Sequence, residues 1–337
     1  MRVGSVASRA VRNRQSAATM SAYRFCRSDD IALLGDALNR CWSPYFPDEP
    51  PMTPEVFKRS IRDLQVWCSS CMVAFSGADP IGVLIGAKRP SGTLIHRIAV
   101  HPDHRRQGHG RHLLTSLSSK LAILGPPRMI AEVPEPLAAT CGLFGASEYV
   151  QEARLTDYVL QGDENDAREP ANERQRVSHA SGVGHGGPAS ERVGGAGGAK
   201  PPGLNGGFVI PVTVEDLAAN DLLGEAHPHV CWERSVETLT ARKDDIAGLA
   251  VASDERIEAY LLYVKGGEGT EIMSLRSFVE DGGARLTQLL SQLRARDRGT
   301  FRFPKVHPAE ISKELLETLC FLPAGEHRLY AARARAE

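Results

Sequence analysis

The residues best suited to chemistry stand together as Arg105-Arg106-Gln107-Gly108-His109-Gly110. They follow a strand-like run over residues 94–100 and Pro102, and they precede Leu113, Leu114, Leu117 and Leu121 at helical spacing. A turn entering a helix presents unpaired backbone N–H groups and the positive end of the helix dipole. Glycines let a ligand approach that backbone, and arginines add cationic donors. Such a loop holds a phosphate or pyrophosphate. Two other phosphate loops fit poorly: a P-loop needs Lys-Ser/Thr after its last glycine, where this chain has Arg111-His112, and the dinucleotide fingerprint needs a third glycine where Leu113 stands.

Other chemical residue types are less organised. His101, His104, His109 and His112 lie on a turn and helix start whose backbone is already committed to an anion, so solvent-facing imidazoles are expected and no metal is assigned. Cys68-Ser-Ser-Cys71 has half-site spacing, but no second Cys or His pair completes it, and buried strand-edge cysteines are expected. Seven scattered cysteines fit free thiols in a reducing compartment, and the expected location is cytoplasmic.

Positioning the loop requires a strand before it and a helix after it, and the surrounding patterns supply a whole domain. Residues 23–26 alternate, Asp29 and Asp30 can cap a helix carrying Ile31, Leu34, Leu38 and Cys41, and Thr53-Pro54 opens another with Phe57, Ile61 and Leu64. Strands at 72–75 and 81–85 flank the hairpin punctuation Gly77-Ala78-Asp79-Pro80. After the loop and its helix come a strand at 128–133, a helix near 137–144 and a last strand at 156–160. The same order recurs later. A strand at 208–212 and the capping signal Thr213-x-x-Asp216 lead to helices at 217–223 and 235–239 and strands at 249–252, 257–262 and 271–278. A leucine stripe (Leu286, Leu289, Leu290, Leu293), a strand at 301–303, a helix at 311–320 and a strand at 327–330 complete the set. The pattern predicts an α/β chain with α+β mixed sheets and an internal duplication.

Composition bounds this reading. A chain of 337 residues exceeds the roughly 100–200 residues of one ordinary domain. Residues 162–206 are crowded with Gly, Pro, Ser and charges and have too few apolar groups to fold, so they read as a flexible linker between domains at 21–161 and 207–337. Residues 1–20 carry four arginines and no acid, expected to be a disordered extension that is either a targeting segment or lies upstream of a start at Met20. A net charge of −1 gives no basic field for nucleic acid, and no apolar run approaches the roughly 18–20 residues needed to span a membrane.

The run from Ile98-Ala99-Val100-His101-Pro102 through Arg105-Arg106-Gln107-Gly108-His109-Gly110 to Leu113-Leu114 resembles the central motif of the GNAT (N-acetyltransferase) superfamily, and the order of elements extends the likeness over about residues 21–160. The resemblance implies tandem GNAT-like acyl-CoA N-acyltransferase folds packed within one chain, the first intact and the second degenerate. It implies that acetyl-CoA is the co-substrate, with its pantetheine arm along the backbone of Ile98, Ala99 and Val100. Its pyrophosphate would sit in the loop from Arg105, Arg106, Gln107, Gly108, His109 and Gly110 to Arg111. The acceptor would be a primary amine, with Glu132 as the base that deprotonates it. Relatives often carry a tyrosine acid where this chain has Phe144, so Cys141, Tyr149, Tyr158 or water would have to substitute. An acyl-CoA-binding sensor or scaffold without turnover is the alternative that this departure raises. A third, a ligase using aminoacyl-tRNA, is disfavoured by the intact loop. Trp42, Tyr45, Phe46, Asp48 and Glu49 fall where relatives shape the acceptor cleft, and the two acids there suggest a cationic amine. In the second copy, Glu280 and Asp281 stand where a pyrophosphate would sit, and like charges oppose its binding.

Overall fold

A computed structural model describes residues 21–162, 208–224, 229–267 and 269–336. The expected extension at 1–20 and all but the first residue of the expected linker lie outside the described residues. By tertiary contacts the chain divides into two compact units, Met1–Arg154 with His327–Glu337, and Leu155–Glu326.

The first unit holds β1 (Ser21–Phe25), α1 (Ile31–Cys41), α2 (Pro54–Leu64), β2 (Met72–Ser76), β3 (Asp79–Arg89), β4 (Gly92–Val100), α3 (His109–Leu124), β5 (Arg128–Pro134) and α4 (Ala138–Ala146). Its strands run β1-β2-β3-β4-β5, antiparallel except for β4 beside β5. Local signals explain the starts: Thr53 accepts from Val56 N at the cap of α2, and Gly77 takes φ +64° in the turn between β2 and β3. Asp30 does not cap α1 with its side chain; its carboxylate binds Arg24 at 2.9 Å and the Arg27 amide instead. Leu113, Leu114, Leu117 and Leu121 of α3 pack over Met72, Ala74, Ile81, Leu84, Ile95, Met129 and Val133. Each leucine withdrawn from water in this way contributes about 2 kcal/mol. On the other face Leu34, Leu38 and Cys41 bury α1 against β3.

The second unit holds β7 (Phe208–Val212), α5 (Val214–Ala219), α6 (Val236–Ala241), β8 (Ala247–Ala252), β9 (Ile257–Gly266), β10 (Gly269–Ser277), α7 (Ala284–Arg296), β11 (Phe301–Val306) and α8 (Lys313–Thr318). Its order, β11-β10-β9-β8-β7 with β10 and β11 parallel, repeats the first. The capping box at Thr213 and Asp216 forms as expected, and the leucine stripe of α7 packs over Leu249, Val251, Leu261, Ile272, Phe301 and Phe303.

The last strands differ from the sequence reading. β6 (Val150–Leu160) begins in the first unit, but its residues 155–160 pair with β11, Tyr158 opposite Phe303. β12 (Leu322–Arg333) begins in the second unit, and its residues 327–333 pair with β5, Leu329 opposite Glu132 and Tyr330 opposite Ala131. Each unit therefore receives a strand that the sequence reading gave to the other. The windows read as strands at 156–160 and 327–330 carry nothing that names a partner, and the expectation that consecutive elements pair fails here.

Tyr330 is buried and stacks on Phe144 at 5.6 Å. Tyr330→Ala should lower the first unit's stability by about 3–5 kcal/mol, the usual cost of truncating a buried aromatic. Urea unfolding followed by the fluorescence of Trp42 and Trp67 reads this; a loss below about 1 kcal/mol would contradict an integral role for the strand.

Candidate functional site

The loop between β4 and α3 delivers an uncapped helix end. Gly108 at φ +88° is the N-cap of α3, and among the described residues no side chain accepts from the amides of that first turn. A Cβ on Gly108 would meet nothing within 4 Å, so the space over these amides is open, whereas on Gly110 it would stand 3.0 Å from Leu143. The two glycines thus serve different needs: the first takes the left-handed turn at the start of α3, the second lets α3 approach α4. Arg106 holds φ +62°, which costs a non-glycine residue about 1 kcal/mol. Arg105, Arg106 and Gln107 are exposed around this opening, and Arg111 holds the Ala146 carbonyl at 3.0 Å.

Beside the loop, β4 parts from β5. Among the described residues their pairing covers only Thr93 with Met129 and Leu94 with Ile130. A bulge then leaves His96 as an extra residue, since Arg97 pairs with Ile85 and Ile95 with Gly86. His101 N donates to Ile81 O at 2.9 Å, so by alternation Ile98 and Val100 turn their N–H and C=O groups away from β3, towards the side where β5 has departed. Ala99 between them faces β3 with its backbone. The Val100 carbonyl accepts from the Tyr45 hydroxyl at 2.7 Å, and Arg105 lies over the Tyr45 ring at 5.6 Å.

Faces can be assigned from packing. Met129, Ala131 and Val133 join the core under α3, so Ile130 and Glu132 point to the face that carries α1. Glu132 is half-buried there, with Leu329 of β12 opposite it. Arg97 reaches the same face, where its NH1 donates to Glu49 Oε2 at 3.1 Å and its guanidinium lies 4.8 Å from the centre of the Trp42 ring. Trp42 Nε1 also donates to Glu49 and stacks on Phe46 at 4.4 Å. Glu49 is therefore engaged, which removes it as a bare attractor for a cationic amine; Asp48 is exposed. The sequence reading passed over Arg97 as an ordinary polar strand residue.

Residues 33–146 match the model of the Acetyltransferase (GNAT) family. The first unit carries a GNAT acetyltransferase domain. No curated protein matches the chain by sequence. Among solved structures, a putative acetyltransferase from Pyrococcus horikoshii is similar at 14% identity and TM-score 0.55, covering 94% of this chain and 90% of that one. A GCN5-related N-acetyltransferase from Sphaerobacter thermophilus is similar at 11% identity and TM-score 0.57, covering 94% and 96%. A tandem GNAT protein from the clavulanic acid biosynthesis pathway is similar at 15% identity and TM-score 0.57, covering 94% and 100%. These likenesses establish tandem GNAT-type folds across the chain.

Three sequence expectations change within the GNAT domain. His109 is not solvent-facing: only 6% exposed, it places Nδ1 at 2.6 Å from the Tyr23 hydroxyl, because the first helical residue turns its side chain down onto β1. Phe144 is buried between Tyr149 and Tyr330. The substitutes for its missing proton fare unevenly: Tyr149 is buried against Met129 Sδ with its hydroxyl pushed up by burial, Tyr158 belongs to the second unit's core, and Cys141 faces the Pro134 carbonyl. Cys71 is buried as expected for a strand edge, Cys68 is half-exposed, and burial pushes the neighbouring Cys26 thiol up to about 12.

Burial holds the His109 imidazole below its usual value, and His104 and His112 add to the effect. The unfolded chain takes up that proton near the ordinary 6.5 while the folded chain resists it. Stability is therefore retained above about pH 6.5, falls as the pH drops below it, and levels off beneath the folded-state value. Melting temperatures from about pH 7.5 to 5.5 should show a shallower decline in His109→Leu than in the parent. Parallel curves would contradict this assignment.

Proposed function

We propose that the GNAT domain transfers an acetyl group from acetyl-CoA to a primary amine by direct attack in a ternary complex. The observation that carries this reading is the open, uncapped start of α3 beside the unpaired edge of β4. The amides from Arg106 to Arg111 would receive the pyrophosphate, with Arg105 and Arg106 adding charge. The outward backbone groups of Ile98 and Val100 would bond the pantetheine arm. The Val100 N–H points where it could polarise the thioester carbonyl, and Tyr45 anchors the same residue through its carbonyl.

An alkyl ammonium must lose a proton before it attacks, and Glu132, on the face that carries α1, would take it directly or through water. The amine nitrogen then bonds to the carbonyl carbon and gives up its second proton to solvent, the carbon–sulfur bond breaks, and the coenzyme thiolate departs and is protonated from solvent. A thiol near pKa 8.5 to 9 is an adequate leaving group without a dedicated acid, which accommodates the buried Phe144.

The second unit is proposed as a non-catalytic partner. Its α7 starts at Gly283 with φ +89°, matching Gly108, but the Asp281 carboxylate accepts from the Gly283 and Arg285 amides at 3.0 and 2.9 Å. The amides that a pyrophosphate would need are taken by the chain's own anion.

Gly108→Glu should abolish thermal stabilisation by acetyl-CoA while the apo protein still melts cooperatively; retained stabilisation would overturn the coenzyme site. Glu132→Gln should lower kcat by about 10²- to 10⁴-fold at neutral pH with little change in the acetyl-CoA KM. Stabilisation by acetyl-CoA without coenzyme A release for any amine would instead favour a sensor.

A further inference from the structure

The face of this domain that carries Glu132 also carries the guanidinium of Arg97, ion-paired with Glu49. From Thr93 opposite Met129, each step along β4 matches one along β5, except that the bulge absorbs His96. Ile95 then stands level with Ala131, Arg97 with Glu132, and Ile98 with Val133. Packing supports that count, because Ile95, Ala131 and Val133 lie in the core beneath α3 and Ile98 packs against it. Arg97 and Glu132 are thus level on the opposite face, one on each side of the gap where the strands part. Paired strands lie about 4.8 Å apart, and these have separated further.

Glu49 accepts from one nitrogen of Arg97 at 3.1 Å, and Trp42 lies against the guanidinium plane. This fixes the group without saturating its five donors, and no other hydrogen bond from Arg97 is made among the described residues. A cation and a carboxylate held level across a gap are complementary to a zwitterion. A simple alkylamine or a polyamine would leave the remaining donors of Arg97 unused.

We infer that the acceptor is an amino acid, carrying its amine and a carboxylate separated by one or a few carbons, with the carboxylate bound by Arg97 and the amine presented to Glu132. Arg97 is an acceptor-binding residue, and Glu49 and Trp42 position it. Leu329, on the strand from the far end of the chain, supplies an apolar neighbour beside Glu132. This inference rests on the acetyl-transfer reading above.

The test uses the full chain and matched pairs of glycine, L-phenylalanine, L-glutamate and L-lysine with their carboxamides, following coenzyme A release. Carboxamides have less basic amines and are the better nucleophiles at neutral pH, so a preference for the free acids cannot come from basicity. The parent should favour at least one acid over its amide by about 10- to 100-fold in kcat/KM, the worth of a hydrogen bond between charged groups. Arg97→Gln with Glu49→Gln, which leaves no orphaned carboxylate, should bring that ratio to about one, mainly through the acceptor KM. Arg97→Lys should restore part of it. Equal or faster reaction of amides, a ratio that survives in the double variant, or no transfer to any acid while acetyl-CoA still stabilises the protein would each overturn the inference. Loss of that stabilisation in the parent would instead overturn the coenzyme reading.

Discussion

The structure around the candidate site depends on one unfilled requirement, the backbone amides at the start of α3. Every helix begins with N–H groups that lack an internal partner, and most proteins satisfy them locally. Within this chain Thr53, Thr213, Ser235 and Ser312 do so for their own helices. At Gly108 no side chain among the described residues does. The comparison with Gly283 is sharper because the backbone angle is nearly the same, yet there Asp281 closes the amides. One carboxylate separates a helix start that can receive an anion from one that already holds its own.

The second constraint is the bulge in β4. An extra residue at His96 resets the alternation, so Arg97 joins the face of Glu132 while Ile98 returns to the core. Without it, Arg97 would point into the apolar layer under α3 and Ile98 onto the acceptor face. The same irregularity coincides with the parting of β4 and β5, so among the described residues the outward backbone groups of Ile98 and Val100 have no ladder partner on β5, and the Val100 carbonyl accepts from Tyr45 instead. A single inserted residue therefore sets both which backbone groups of β4 turn away from β3 and which face carries Arg97.

Much of this was legible in the sequence because local chemistry determines it. The turn and helix start at Gly108, the leucine stripes, the cap at Thr53 and the box at Thr213 rest on spacing alone, and the second set of elements follows the first closely enough to reveal the repeat. What escaped depends on distant partners. Nothing near His109 announces that Tyr23 lies beneath it, and the engagement of Glu49 appears only when α1 and β4 bring Trp42 and Arg97 to it. The bulge is invisible in a run that alternates well enough on either side.

The exchange of last strands changes what counts as the acetyltransferase domain. The family match ends at residue 146, but the strand beside Glu132 comes from residues 327–333. Tyr330 stacks on Phe144, and Leu329 stands opposite the proposed base. A fragment ending after β6 would contain every motif of the coenzyme site and still leave the outer edge of β5 unpaired, with Phe144 exposed on one side. An unpaired central edge and an uncovered aromatic both favour misassociation over a folded site. Along the chain, the second unit precedes the strand that completes the sheet on which Glu132 stands.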